Sequence, residues 1–241
     1  MYGWRGRLGL ILPSDNTVME PEFNSILPEG ITCYVSRLLI KRGKYNLSNL
    51  IDMSEGTERA AEELKRVADV IGYGCTSGSF AKGPGWDQEL IMRIEKTSGC
   101  PATTTSTSII EALKFLGIEK LALATPYTKE ANEKMKDFIE DKGFDVVSMK
   151  GLDVREHGGQ GFYHPSDAFL LAKEVVTQDS DAILISCTNF RTFEIIEPLE
   201  NDLGIPVVTS NQATLWMLLR ILRIKVTKIG IGRLFNQCKK L

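Results

Sequence analysis

The chain has 241 residues, a formal net charge of −2, and 43% hydrophobic and 25% charged residues. These values are ordinary for one large globular domain or two small ones, with ample material for a hydrophobic core. A chain without excess positive charge lacks the basic surface that nucleic acids and anionic membranes attract, so we expect neither partner. The apolar runs are strand-sized, and the N-terminal run has no cleavage-site pattern, which predicts neither a transmembrane helix nor a signal peptide.

The cysteines and histidines indicate a reducing compartment and no metal site. The cysteine count is odd and no two cysteines form a C-x-x-C pair, so we predict free thiols in the cytoplasm. Two histidines leave little for a zinc site, and we expect no metal. The residues concerned are Cys33, Cys75, Cys100, Cys187 and Cys238, together with His157 and His164.

Strand-like apolar runs alternate with helix-like periods along the whole chain. The runs predict strands near 6–12, 32–38, 68–73, 102–105, 119–124, 144–149, 181–186 and 205–209. The periods predict helices near 17–26, 54–67, 87–98, 107–117, 128–142, 166–178, 191–203 and 211–222. Helix C-terminal caps are expected at Gly99, Gly117, Gly143 and Gly204. Buried strands separated by helices are typical of parallel sheets covered on both faces, so the predicted fold class is α/β.

The second half of the chain repeats the pattern of the first. Cys75 stands 62 residues after Pro13, and Cys187 stands 61 residues after Pro126. After each cysteine come a threonine, a helix and a further strand, in "SGCPATTTS" and in "LGIPVVTSN". This spacing predicts two similar lobes related by a pseudo-twofold axis, with the active site in the cleft between them. We assign residues 1–108 and 215–241 to the first lobe, including a terminal segment packed on it, and residues 109–214 to the second.

The paired cysteines are the strongest candidates for chemistry. Cys75 and Cys187 each follow a predicted strand and precede a helix, whose N-terminus favours an anion. We therefore expect each thiol pKa to fall below its usual value of about 8.5. Two such thiols across a cleft could act on opposite sides of one small molecule. The alternatives are a disulfide, which a reducing compartment disfavours, and burial as small apolar side chains, the interpretation we prefer for the other three cysteines.

Three polar residues beside the predicted strand ends have two interpretations each. Asn16 could cap the following helix, as Ser14 could, or its amide could donate to a substrate carboxylate. Tyr127 could lie in the core or donate to the same ligand. His157 could be a solvated loop residue or a ligand contact, and its glycine-rich loop lacks the G-x-G-x-x-G pattern of dinucleotide sites.

Six motifs resemble a known family. They are "LPSDNTVMEPEF", "GCTSGSF", "TSTSIIEAL", "ALATPY", "ISCTNFRT" and "GIPVVTSN", and they span nearly the whole chain. Together they resemble the maleate cis-trans isomerases and the arylmalonate decarboxylases, both of the aspartate/glutamate racemase superfamily. The resemblance implies two flavodoxin-like lobes, a cofactor-free enzyme, a small dicarboxylate substrate and a homo-oligomer.

The isomerase resemblance also implies roles for single residues. Cys75 would add as a thiolate to one alkene carbon of maleate, and Cys187 would act as acid and base at the other, so that rotation gives fumarate. The family's binding positions match Asn16, Thr76, Ser77, Tyr127, Thr188 and Asn189. His157 departs from the family, which has an asparagine there, and a histidine would bind a carboxylate with charge below about pH 6.5.

Other activities of the superfamily remain as alternatives. The decarboxylases carry glycine at the position of Cys75, so the presence of two cysteines speaks against decarboxylation. The superfamily's amino-acid racemases keep both cysteines, which leaves racemisation of an amino acid or related acid open. A non-catalytic ligand sensor with two buried thiols is a further alternative.

Overall fold

The computed structural model describes residues 2–41, 43, 46–225 and 230–237. Its first half contains β1 (Gly6–Pro13), α1 (Met19–Ile26), β2 (Ile31–Leu38), α2 (Leu47–Ser54), α3 (Thr57–Leu64), β3 (Val70–Tyr73), α4 (Thr76–Phe80), α5 (Trp86–Ser98), β4 (Ala102–Thr104) and α6 (Thr105–Leu116). The second half contains β5 (Lys120–Thr125), α7 (Lys129–Asp141), β6 (Asp145–Gly151), a 3₁₀ turn (Gly159–Phe162), α8 (Pro165–Val175), β7 (Ala182–Ile185), α9 (Phe193–Leu203), β8 (Val207–Thr209), α10 (Ser210–Ile221) and α11 (Gly232–Gln237).

The two halves form parallel sheets with the same strand order. The first sheet runs β2-β1-β3-β4 and the second β6-β5-β7-β8, and every pairing is parallel. The central strands β3 and β7 are buried along their whole length, whereas the edge strands β2 and β6 are half-exposed. This difference follows from their sequences, "VIGY" and "AILI" against the mixed "ITCYVSRL" and "DVVSMKG". The predicted α/β fold and the internal repeat are confirmed.

The repeat extends to the ends of the helices. Thr104 and Thr209 cap α6 and α10, each accepting a hydrogen bond from an N–H three residues along. At the other helix ends, the four glycines expected as caps all have positive φ, which suits a residue without a side chain. They are Gly99, Gly117, Gly143 and Gly204.

The last helices of the two halves join the lobes. α6 and α10 pack against each other; α10 also contacts β3 and β4 of the first sheet, while α6 contacts β8 of the second. The hydroxyl of Thr214 on α10 donates to that of Thr105 on α6 over 3.1 Å. The region between the sheets is thus formed by both halves.

The terminal segment differs in part from our expectation. α11 packs against α9, β8 and α10, so it lies on the second sheet and not on the first lobe. The sequence could not place it, because its anchor is the distant Glu200, whose carboxylate accepts the backbone N–H of Arg233. The side chains of Leu222 and Ile224 do lie against Gly6 of β1. The predicted lobe boundaries stay a prediction.

Three short helices, α2, α4 and α11, were not predicted from the sequence. The helix predicted over 54–67 corresponds to α3, and Glu55 and Gly56 separate it from α2, which ends at Ser54. α4 follows Cys75 immediately and has only five residues, too few to show a helical period. Within the described ranges, no helix is long and apolar enough to span a bilayer.

Candidate active site

One cavity collects all nine residues singled out from the sequence. It lies at the carboxyl ends of the strands, where α/β proteins bind ligands, and receives the loops after β1, β3, β5, β6 and β7. It is small, about 40 Å³ measured as the space open to the centres of water-sized spheres. That is room for a few water molecules or one small acid. The nine residues are Asn16, Cys75, Thr76, Ser77, Tyr127, His157, Cys187, Thr188 and Asn189.

The Cys75 sulfur is held by its own loop. Cys75 occupies the residue before α4 and is 5% exposed. The backbone N–H of Gly78 and the side chain of Ser77 lie close enough to the sulfur to lower the pKa of its thiol. A Cβ at Gly78 would lie 2.9 Å from this sulfur and 3.2 Å from the Tyr73 hydroxyl. Only glycine therefore lets the chain approach the sulfur so closely.

The Cys187 sulfur is held from two parts of the chain. The backbone N–H of Asn189 donates to it over 3.4 Å, and the hydroxyl of Tyr127, which follows β5, lies close enough to lower the pKa of the thiol. Cys187 is 7% exposed. Negative charge on Cys75 raises the pKa of the Cys187 thiol, so the two sulfurs interact electrostatically across the cavity.

The expected lowering of the thiol pKa values is wrong. Burial, together with a smaller effect of the negative charge of Asp15, raises the pKa of Cys75 and of Cys187 to about 12. The N–H and hydroxyl hydrogen bonds lower each pKa, but by less than burial raises it. In the resting site both residues are neutral thiols, free of any disulfide.

The side chain of Asn189 hydrogen-bonds the loops that follow β1 and β6 and so holds them together. Its amide nitrogen donates to the backbone oxygens of Asp15 and Gly158, at 3.3 and 3.4 Å. Its amide oxygen accepts the backbone N–H of Thr17 at 2.8 Å. Because these bonds occupy the amide, Asn189 faces the cavity chiefly through its backbone.

Asn16 and Thr188 link the lobes directly. Asn16 accepts the N–H groups of Val18 and Met19 with its side-chain oxygen, which is the capping role considered above. Its amide nitrogen donates to the Thr188 hydroxyl at 3.1 Å, and that hydroxyl donates to the Gly74 carbonyl at 3.1 Å. One amide proton of Asn16 is left to point at a ligand, whereas the Thr188 hydroxyl proton is already used. Ser14 instead accepts the N–H of Ile40 and caps no helix.

Five further residues line the cavity and were not selected from the sequence. Gln160 is buried and Asp15 half-buried, while the other three add an apolar wall. Asp15 stands in the quoted "LPSDN" loop and follows β1, so the same strand-end rule would have found it. The others carried no signal, because their loops reach the cavity only through folding. The five are Pro13, Asp15, Ile40, Leu50 and Gln160.

Asp15 and His157 face each other at the cavity. Burial raises the pKa of Asp15, and the nearby His157 lowers it in part. Burial lowers the pKa of His157, and Asp15 partly opposes this shift. The imidazole therefore gains its charge at a lower pH than the 6.5 assumed from the sequence. The structure gathers no set of three metal-ligating side chains anywhere in its described ranges.

The comparison with known proteins decides the family. The family model for arylmalonate decarboxylase matches residues 8–235. The chain belongs to the arylmalonate decarboxylase family. It is 31% identical to the arylmalonate decarboxylase of Bordetella bronchiseptica over 94% of this chain and 92% of that one.

Maleate isomerases are also among its relatives. The chain is 28% identical to the maleate isomerase of Nocardia farcinica, over 96% of both chains. A crystal structure of a maleate isomerase variant from Pseudomonas putida S16 with maleate superposes with a TM-score of 0.90 at 27% identity. That match covers 95% of this chain and 97% of the other. These relatives confirm the resemblance inferred from the motifs and support an isomerase.

Proposed function

We propose that the protein catalyses the cofactor-free cis–trans isomerisation of maleate, or of a similar cis-diacid, to the trans isomer fumarate. The observation that carries the proposal is the placement of two thiols, Cys75 and Cys187, at equivalent strand ends of a repeat and in one small cavity. A cavity of this size suits a four-carbon acid, and both alkene carbons would then lie within reach of a sulfur.

The reaction starts from the form in which Cys75 has lost its proton to water and Cys187 keeps its own. The Cys75 thiolate adds to one alkene carbon, the electron pair of the double bond moves to the second carbon, and Cys187 protonates that carbon. Covalent addition of this kind replaces one hard step by easier ones. The result is a thioether with a single carbon–carbon bond, about which the acid can rotate.

Elimination then returns the catalyst to its starting form. The Cys187 thiolate removes the proton from the second carbon, the double bond reforms as trans, and the carbon–sulfur bond breaks. Proton transfer by a positioned group typically contributes about 10²–10⁴-fold. The Asn189 N–H, which donates to the Cys187 sulfur, and the nearby Tyr127 hydroxyl both lower its pKa and so stabilise its thiolate form.

One carboxylate must stay fixed while the rest of the substrate rotates. The first N–H groups of a helix have no partner within it, so those of Thr76 and Ser77 are suited to hold a carboxylate beside Cys75. The free amide proton of Asn16 supplies a further donor at the same end of the cavity.

Proton NMR of reduced enzyme with maleate tests the proposal, since the alkene signals of maleate and fumarate are distinct. We expect fumarate to form in the presence of EDTA, because no step uses a metal. Cys75→Ala should abolish turnover, and Cys33→Ala, which removes a thiol outside the cavity, should not. No product from any of a panel of cis-diacids would end the proposal. Solvent deuterium entering an amino acid would instead favour racemisation, and carbon dioxide from an arylmalonate would favour decarboxylation.

Location and assembly are part of the same proposal. We infer a cytoplasmic enzyme that forms a homo-oligomer and binds neither nucleic acid nor membrane. The four described cysteines are free thiols, which supports a reducing compartment, and the net charge of −2 gives no electrostatic attraction to polyanions. Light scattering of the purified chain would give its mass and test the oligomer.

A further inference from the structure

The cavity contains an acid–base pair that the mechanism above does not use. Asp15 comes from the loop after β1 and His157 from the loop after β6, so the pair joins the two lobes. The Asn189 amide bridges the backbone oxygens of Asp15 and Gly158 and fixes the two loops together. A Cβ at Gly158 would lie 3.3 Å from that of Asp15, so the carboxyl side chain packs directly on the loop of His157.

The charge of this pair is not balanced by the rest of the cavity. The other titratable lining residues are Cys75, Cys187 and Tyr127, none of which becomes cationic. Outside the cavity lining, the charge of Arg37 lowers the pKa of Asp15, but this guanidinium donates to the backbone oxygen of Asn16 and pairs with Glu20 on α1. Because burial lowers the pKa of His157, the imidazole is neutral at pH 8. Burial raises the pKa of Asp15, and we treat its carboxylate as ionised at pH 8.

A negative charge inside the cavity affects the two ends of a substrate differently. A first carboxylate can be held at the N–H groups of Thr76 and Ser77, which stabilise its negative charge. A second carboxylate at the pair would meet Asp15 and be repelled. A neutral amide at the same place would donate its N–H to Asp15, and its carbonyl oxygen would accept the ring N–H of the neutral His157.

We propose that Asp15 and His157 determine substrate choice, favouring cis-acids with one carboxylate and one neutral amide, such as maleamate, over the dianion maleate. This inference rests on the proposed isomerisation, because it names the substrates of that reaction. Asp15 is the residue that discriminates, and His157 is the partner that the amide carbonyl binds.

The test compares maleate with maleamate at pH 8, where both carboxyl groups of maleate are ionised. Proton NMR gives kcat/KM for each substrate with wild-type enzyme, Asp15→Asn and the matched control Glu156→Gln. Glu156 is an exposed carboxylate in the His157 loop and lies outside the cavity. The ratio of the two kcat/KM values cancels any common effect of Asp15 on the thiols.

We expect wild-type enzyme to prefer maleamate, and Asp15→Asn to shift the ratio toward maleate by about tenfold, as one partly solvated charge pair would. Glu156→Gln should keep the wild-type ratio. An unchanged ratio of the two kcat/KM values in Asp15→Asn, or a wild-type preference for maleate, would overturn this inference but not the proposed isomerase function. If neither compound is isomerised, the proposed function fails, and the inference is then decided by which compound better protects Cys75 from iodoacetamide.

Discussion

The two cysteines occupy equivalent places in the repeat, but the chain holds them in different ways. The first half-site, Cys75 with Ser77 and Gly78, is built from one loop and the first turn of α4. The second half-site, Cys187 with Tyr127 and Asn189, takes its hydroxyl from the loop after another strand. The repeat thus determines where the sulfurs lie, and their unequal surroundings are the basis on which we propose separate roles. We assign addition to the first half-site and proton transfer to the second.

After the loss of Cys75, which should abolish turnover, the next largest effect is expected from removing the second sulfur. Cys187→Ser replaces the acid and base with a far weaker one, so turnover of maleate should fall by about 10²–10⁴-fold. The rate of fumarate formation measures this loss, with Cys33→Ala as the control thiol. Turnover within tenfold of wild type would show that the second half-site does not move the proton.

Alkylation as a function of pH tests whether burial controls both half-sites. With pKa values of about 12, the thiolate fraction at Cys75 and Cys187 should rise about tenfold per pH unit between pH 6 and 9. Mass spectrometry of iodoacetamide-labelled peptides gives the rate at each cysteine, and circular dichroism confirms that the fold persists. If the alkylation rate instead levels off near pH 7, the thiol pKa is lowered, as the sequence predicted, and burial does not control it.

Removing one hydroxyl from each half-site should slow the alkylation of only the cysteine in that half-site. Tyr127→Phe removes a donor to the Cys187 thiolate, and since a hydrogen bond to a charged group is worth about 1.5–3 kcal/mol, alkylation of Cys187 should slow by about tenfold or more. Ser77→Ala should slow alkylation of Cys75 instead. Tyr34→Phe, on the half-exposed edge strand β2, is the matched control. Equal slowing of both thiols by both variants would contradict separate half-sites.

The last prediction concerns stability and not reactivity, and it tests how Glu22 anchors the second half-site. Glu22 on α1 is buried and accepts the N–H groups of Thr192 and Phe193 and the amide of Asn211. Burial raises its pKa to about 7. A carboxyl with a raised folded-state pKa stabilises the fold below its unfolded-state pKa near 4.5 and loses that contribution as the pH rises through 7. The free energy of unfolding should therefore drop by about 3 kcal/mol between pH 4.5 and pH 8.

Urea denaturation at several pH values checks this anchor. Glu22→Gln should remove the pH-dependent part of the unfolding free energy, since an amide does not titrate, while the exposed control Glu29→Gln should keep it. The amide oxygen of glutamine can still accept the two backbone N–H groups, and a flipped Asn211 can accept its N–H. The same slope in both variants would show that Glu22 is not the titrating group.

Much of the fold and the composition of the cavity could be predicted from the sequence. Apolar runs such as "AILI" identify buried strands, and glycines such as Gly99 mark helix ends, because both signals are local. The 62- and 61-residue spacings that end at Cys75 and Cys187 gave the repeat. The strand-end rule then brought residues as distant as Asn16 and Thr188 into one cavity.

The features that the sequence did not predict correctly share a physical cause, because each depends on how the chain packs in three dimensions. The thiol pKa values depend on burial, and the sequence shows the helix behind Cys75 but not the protein that excludes water around it. Leu50 reaches the cavity from α2, a helix hidden in a segment without a clear period. α11 packs on the second lobe because Glu200 binds its first turn, a contact across 33 residues.

Mass spectrometry of the intact Cys187→Ser variant after mixing with maleate tests the central claim most directly. In this variant water must supply the proton to the second carbon after Cys75 adds, and no sulfur is present to remove it again, so the adduct should form slowly and remain bound. The chain should then gain the mass of one maleic acid, located on Cys75 by peptide mapping. The same mixture with Cys75→Ala should gain nothing. An unmodified Cys75 in a folded Cys187→Ser variant, or an equal gain with Cys75→Ala, would contradict the account.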